Sequence, residues 1–109
     1  MEAAVRAIAE PSRRAILRLV WDDELSAGSI AAHFDVSRPA ISQHLRVLRE
    51  AGLIEERRDG TRRLYRARAE TLAELREFLD GFWEGRLTLL KHAAEDDERG
   101  RSSRGDASP

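Results

Sequence analysis

Cysteine is absent from this 109-residue chain. That excludes a disulfide framework, a thiol switch and a thiolate metal site. No apolar run is long enough to span a bilayer, and no apolar stretch near the start resembles a signal peptide. The chain is therefore expected in the cytoplasm, with no membrane partner. Lysine is almost missing, Lys91 standing alone beside 18 arginines. The chain has no nucleophile–base pair, no glycine-rich phosphate loop and no paired carboxylates in an apolar setting. It is also too short for a deep pocket, so it does not read as an enzyme, and neither catalytic residues nor a cofactor are expected. There is room for one domain and a tail, with a core so modest that a dimer interface is an expected source of stability.

Overall charge says little at −1, but its distribution is uneven. Residues 37–68 hold nine arginines against four acidic residues, whereas residues 1–36 and 69–109 carry net charges of −2 and −4. A basic middle between acidic ends is the pattern of a localised, phosphate-facing surface. Ordinary solvated charge would be spread more evenly.

Within that middle, residues 37–52 read SRPAISQHLRVLREAG. Ile41, Leu45 and Leu48 fall at i, i+4 and i+7, one apolar edge of a helix. Ser37 stands where an N-cap is wanted, Pro39 fits the first turn, and Gly52 suits the residue just past the end. The opposite edge offers Arg38, Ser42, Gln43 and Arg46, hydrogen-bonding groups on a helix slim enough for a DNA major groove. Gln43 suits a bidentate pair with adenine, and each arginine suits either a guanine or a phosphate. Ser37 reads equally as a cap and as a phosphate contact. His44, turned toward the rim, reads equally as a phosphate contact and as a packing histidine. Pro39 starts the helix and also offers an apolar surface to a thymine methyl.

Residues 53–65, LIEERRDGTRRLY, form two extended runs around Asp59-Gly60 and predict a β-hairpin. Arg57 and Arg58 approach the turn; Arg62 and Arg63 leave it. Four guanidiniums crowded on one hairpin tip repel one another unless phosphates or a groove are nearby. Arg58, Arg62 and Arg63 are the stronger candidates for DNA and Arg57 the weaker, because alternation sends neighbours to opposite faces. Leu64 and Tyr65 read as core. A major-groove helix followed by a basic hairpin is the winged helix-turn-helix, a mainly α fold with a small β-hairpin (α+β). A protein-interaction module of the same fold would have no need of the hairpin arginines.

The flanks complete the domain. Residues 2–9 form a short helix with Val5 and Ile8 on its apolar edge, and Glu10-Pro11 breaks it. A second helix runs from Pro11 through Trp21 with Ile16, Leu19 and Val20 on one face, and Asp22-Asp23-Glu24 turns the chain. Ser26 or Ser29 caps a third helix with Ile30 and Phe34 pointing inward, and Asp35, which tolerates the left-handed conformation, makes the turn into the recognition helix. A long helix follows from Glu70 to about Glu95, its roughly 25 residues spanning about 37 Å. Its main apolar stripe is Leu72, Leu75, Leu79, Phe82, Leu89 and Leu90, widened by Phe78 and Trp83. Residues 1–95 are expected as the DNA-binding and dimerisation domain, and residues 96–109, charged and rich in Gly and Ser, as a disordered polar tail.

Residues 9–20, 24–67 and the long helix together resemble the ArsR-type transcriptional repressors, the block SRPAISQHLRVLREAGLI being the most specific part. The resemblance covers about residues 3–92. It implies a homodimer that occupies an inverted-repeat operator on double-stranded DNA until a signal weakens binding, and so a cytoplasmic protein found on the nucleoid when bound. It also implies that the partner subunit covers Val5, Ile8, Leu72, Leu75, Phe78, Leu79, Phe82, Trp83, Leu89 and Leu90. Metal-sensing relatives carry a cysteine pair in an ELCxC motif, where this chain has Glu24-Leu25-Ser26-Ala27-Gly28. Others bind zinc through an Asp-x-His pair and a later His; here Asp80 is followed by Phe82 where the second ligand belongs, while His92 and Glu95 fit only the later half. No metal site is expected, and the inducer, whether small molecule or protein, stays unassigned.

Overall fold

Pro11 decides where the first two helices separate. Glu10 before it is held extended (φ −87°, ψ 123°), and proline occupies the first turn of the next helix. In the computed structural model the described residues are 1–103, apart from the side chains of Trp83, residues 85–89 and residues 96–103. Their elements are α1 (Glu2–Ile8), α2 (Pro11–Leu19), β1 (Leu25–Ser26), α3 (Ala27–Ala31), α4 (Arg38–Glu50), β2 (Ile54–Asp59), β3 (Arg62–Ala67) and α5 (Ala69–Ser103). The chain divides into two units, Met1–Arg76 and Glu77–Pro109, with the boundary inside α5.

The first unit is built around one apolar cluster. Ile16, Leu17 and Val20 from the end of α2, Ile30 from α3, Ile41, Leu45 and Leu48 from α4, and Leu53, Ile54, Leu64 and Tyr65 from the hairpin are all buried. Ala4 and Ala7 bring α1 onto this cluster, so its buried face is alanine, while Val5 and Ile8 stay half-buried at the edge. Two arginines from α2 finish α1. Arg13 Nε donates to the Ala7 carbonyl at 2.6 Å, and Arg14 Nη1 donates to the Ile8 carbonyl at 2.6 Å and to that of Ala9 at 3.1 Å. These carbonyls have no partner inside their own helix, and positive charge is favoured at that end.

α3 and α4 start alike. Ser26 Oγ accepts from the Ser29 amide at 3.1 Å, and Ser37 Oγ accepts from the Ala40 amide at 3.3 Å. α4 ends at Gly52, whose φ of +77° is a left-handed conformation. Its amide donates to the Arg49 carbonyl at 2.9 Å and that of Leu53 donates to Leu48 at 3.0 Å, the paired bonds of a Schellman motif. Leu48 and Leu53, both fully buried, supply the apolar contact that usually accompanies it.

Several expectations need correction. α2 ends at Leu19, and Trp21 lies beyond it, 53 % exposed. The turn between α3 and α4 uses no left-handed Asp35, because no described non-glycine residue has positive φ. The sheet has three strands in the order β1-β3-β2, since Leu25 and Ser26 pair antiparallel with Tyr65 and Leu64. In the hairpin Asp59 pairs with Arg62, so the loop is Gly60-Thr61. Gly60 alone there has positive φ, at +66°, which is the type II′ arrangement. α5 extends to Ser103, past the expected end near Glu95; the Glu and Arg of residues 95–101 are good helix formers. Leu75, expected against a partner, is buried within its own chain. The expectations for the side chains of Trp83 and Leu89 and for residues 104–109 lie outside the described residues.

In the second unit, α5 exposes Phe78, Phe82 and Leu90, and Leu79 is half-buried.

The Gly52 conformation yields a direct prediction. Gly52→Ala should lower unfolding stability by about 1–2 kcal/mol in urea titrations, the cost of a left-handed Cβ. An unchanged midpoint would mean the α4 terminus does not need this conformation.

Candidate DNA-binding surface

With one edge of α4 packed into the core, the other must face out. Arg38, Pro39, Ser42, Gln43 and Arg46 are all exposed, and Ser37 at the cap is exposed with them. Arg46 Nε lies 3.1 Å from Glu50 Oε1 one turn on, both side chains well exposed. Such a pair is worth a few tenths of a kcal/mol, so it does not withhold Arg46 from a stronger partner. His44 is different. It is half-buried, with Nδ1 3.4 Å from Arg13 Nη1, and so faces α2 as a packing residue.

Strand pairing sorts the hairpin arginines. Arg58 lies opposite Arg63, on the face of Glu56 and Tyr65; Arg57 and Arg62 lie on the other face with Leu64. Arg57 is held in a two-point contact by Glu24, with Nε to Oε2 at 3.0 Å and Nη2 to Oε1 at 2.6 Å. The hydrogen-bonded guanidinium holds the Glu24 carboxyl below its ordinary pKa, and the carboxylate raises that of Arg57. Arg63 Nε lies 3.5 Å from Glu56 Oε1. Glu56 also accepts from Arg49 Nη1 at the end of α4. Beside them the Tyr65 phenol is pushed up in pKa, by burial first and by the Glu56 charge second.

Among the described residues, Arg38, Arg58 and Arg62 make no side-chain hydrogen bond or ion pair. Arg38, Arg62 and Arg63 line an open cleft of about 370 Å³ with Ser26, Ala27, Gly28 and Thr61. The cleft joins the starts of α3 and α4 to the hairpin. Gly28 borders it: a Cβ there would stand 3.6 Å from Arg38 Nη1, an ordinary van der Waals contact. Glu24, Arg49 and Glu56 escaped the sequence reading, because their partners are set by strand register and packing and not by spacing along the chain.

A helix whose polar edge is exposed beside a basic hairpin is the geometry of a winged helix-turn-helix. Residues 10–56 match the family model for bacterial regulatory proteins of the arsR family. The HTH-type transcriptional regulator Rv2034 of Mycobacterium tuberculosis is 45 % identical over 87 residues, 80 % of this chain and 81 % of that protein. The chain belongs to the ArsR family. The transcriptional repressor SdpR of Bacillus subtilis is 43 % identical over 60 residues, 55 % of this chain and 67 % of its own length. Among solved structures, the homodimeric winged helix-turn-helix DNA-binding domain Mb0332 of Mycobacterium bovis superposes with a TM-score of 0.62. It is 30 % identical, over 76 % of this chain and 77 % of that one. This ArsR-family chain thus shares the fold of its relatives, and its function class is regulation of transcription, not enzymatic turnover.

At the positions where the metal-sensing motif places cysteines stand Ser26 and Gly28. The Ser26 hydroxyl caps α3, and Gly28 has no side chain to offer. No group of three or more His, Cys, Asp or Glu among the described residues is placed to hold a metal ion.

The carboxylate partners separate the hairpin arginines by experiment. On a random-sequence 30-bp duplex, Arg62→Ala should reduce the slope of log affinity against log salt by about 0.9, the loss of one phosphate contact. Arg57→Ala should leave that slope unchanged, since Arg57 is bound to Glu24. Equal losses for the two variants would remove the distinction.

Proposed function

We propose that this chain is a homodimeric, metal-independent repressor that binds an inverted-repeat operator on double-stranded DNA in the cytoplasm. The observation that carries the reading is the division of α4. Ile41, Leu45 and Leu48 are buried while Arg38, Ser42, Gln43 and Arg46 are exposed, all on one short helix. Gln43 then reads a base edge, Arg38 and Arg46 read a guanine or hold phosphates, and Ser37 and Ser42 add shorter contacts. Pro39 sits against the backbone or a thymine methyl. Arg58 and Arg62 of the wing take phosphates, with Arg57 and Arg63 more tightly held by carboxylates.

Self-association uses α1 and α5. Val5, Ile8, Leu72 and Leu79 are half-buried, Phe78 and Phe82 are about half exposed, and Leu90 is more open still. Exposed apolar side chains of this kind, on either unit, are normally covered. The homodimeric Mb0332 domain and the repressor SdpR support both halves of the proposal. A two-fold dimer sets its recognition helices about 34 Å apart, one turn of DNA, and so selects an inverted repeat. The metal-independent part rests on donor chemistry, because a capping hydroxyl and a glycine offer a soft metal no ligand.

Fluorescence anisotropy on a labelled duplex from upstream of the chain's own gene, with scrambled DNA as control, tests the reading. Selective, salt-sensitive binding that is indifferent to added zinc and to chelator is expected. Equal affinity for both duplexes counts against an operator in that region, and a zinc effect counts against metal independence. Gln43→Ala should cost about 1–3 kcal/mol and relax preference at one position per half-site; an intact preference takes Gln43 out of the readout. Phe78→Glu should convert the dimer to a monomer in sedimentation velocity, and a persistent dimer would move the interface elsewhere.

A further inference from the structure

Glu56 occupies a position that DNA binding by the exposed α4 edge does not itself require. It lies on β2 with its side chain only 18 % exposed, yet it faces two guanidiniums from different elements. Arg49 reaches it from the last turn of α4 and Arg63 from β3. Its cross-strand partner is Tyr65, beside Arg63 on the same face. One carboxylate therefore ties the end of the recognition helix to both strands of the wing. Opposite it across the sheet, Glu24 clamps Arg57 to the segment leading into β1.

Isolated ion pairs on a surface contribute little to stability. A carboxylate shielded from water and shared by two arginines has a different use, because the one anion fixes two guanidiniums from different elements relative to each other. The helix and the wing contact DNA in different places, so the angle between them decides whether both can engage at once. Arg63 also borders the cleft with Arg38 and Arg62, and its charge is the one of the three matched by a carboxylate.

We infer that Glu56 is a positioning residue for DNA binding, locking the wing to the recognition helix through Arg49 and Arg63 and holding Arg63 back from the phosphates. The inference rests on the DNA-binding reading above. It assigns the chain a wing geometry fixed before DNA arrives, and a phosphate count smaller than the number of its arginines.

The test uses the intact protein and a random-sequence 30-bp duplex, so that no operator need be known. Arg63→Ala alone should leave the salt slope of binding unchanged. Glu56→Gln, which keeps shape and removes charge, should steepen the slope by about 0.9 as Arg63 is released to a phosphate. The double variant Glu56→Gln/Arg63→Ala should return to the wild-type slope. In the free protein, the Arg63 Nε–H resonance should be protected from solvent exchange and lose that protection in Glu56→Gln. A Glu56→Gln slope equal to wild type, a flattened slope for Arg63→Ala alone, or unaltered Arg63 exchange in Glu56→Gln each overturns the inference. A wild-type chain that binds no duplex overturns the DNA-binding reading, and this inference with it. Wild-type binding with an unmoved Glu56→Gln slope overturns this inference alone.

Discussion

The rotation of α4 about its own axis is the constraint on which the rest of the molecule depends. Ile41, Leu45 and Leu48 recur on one edge, and each gains about 1.5–3 kcal/mol by leaving water. α4 packs on α1, α2, α3 and β2, so turning it would unseat every neighbour. A helix fixed in this way has no freedom in what its opposite edge presents. The positions of Arg38, Ser42, Gln43 and Arg46 are thus a consequence of the core, and the caps at Ser37 and Gly52 set the helix length over which that holds. Family membership agrees with a reading that begins from packing.

The wing follows a second logic, that of charge. Its arginines are numerous but not equivalent. Glu24 and Glu56 each hold one wing guanidinium, Arg57 and Arg63, on opposite faces of the sheet, and Glu56 also holds Arg49, while Arg58 and Arg62 make no such contact. Those carboxylates also brace the hairpin against the body of the domain. The two-residue strand β1 does the same with backbone bonds, pairing Leu25 and Ser26 to the middle of β3. Ser26 then caps α3, so three residues, Glu24 to Ser26, join the wing, the sheet and the helix-turn-helix.

Local chemistry was readable from the chain. The α4 edge, the Ser37 cap, the Gly52 terminus, the Pro11 boundary and the hairpin each carry their physical cause within a few residues. What was hidden depends on distance. Glu24 and Arg57 are 33 residues apart, and no periodicity links them. β1 is too short to show alternation. The use of Arg13 and Arg14 to close α1 depends on how two helices meet. His44 had two open readings, and its place beside Arg13 of α2 favours the packing one. The end of α5 was misplaced because a charged, apolar-poor stretch reads as a tail, although its residues favour a helix.

The exposed edge of α4 together with the wing is held to be the DNA surface, and chemical-shift mapping of the labelled protein against a duplex tests that most directly. Backbone and side-chain shifts should concentrate at Arg38, Ser42, Gln43, Arg46 and Arg62, with His44 and the α1–α2 junction nearly unmoved. Perturbations centred on α1, on Trp21 or on the exposed apolar residues of α5, with α4 silent, would contradict the account.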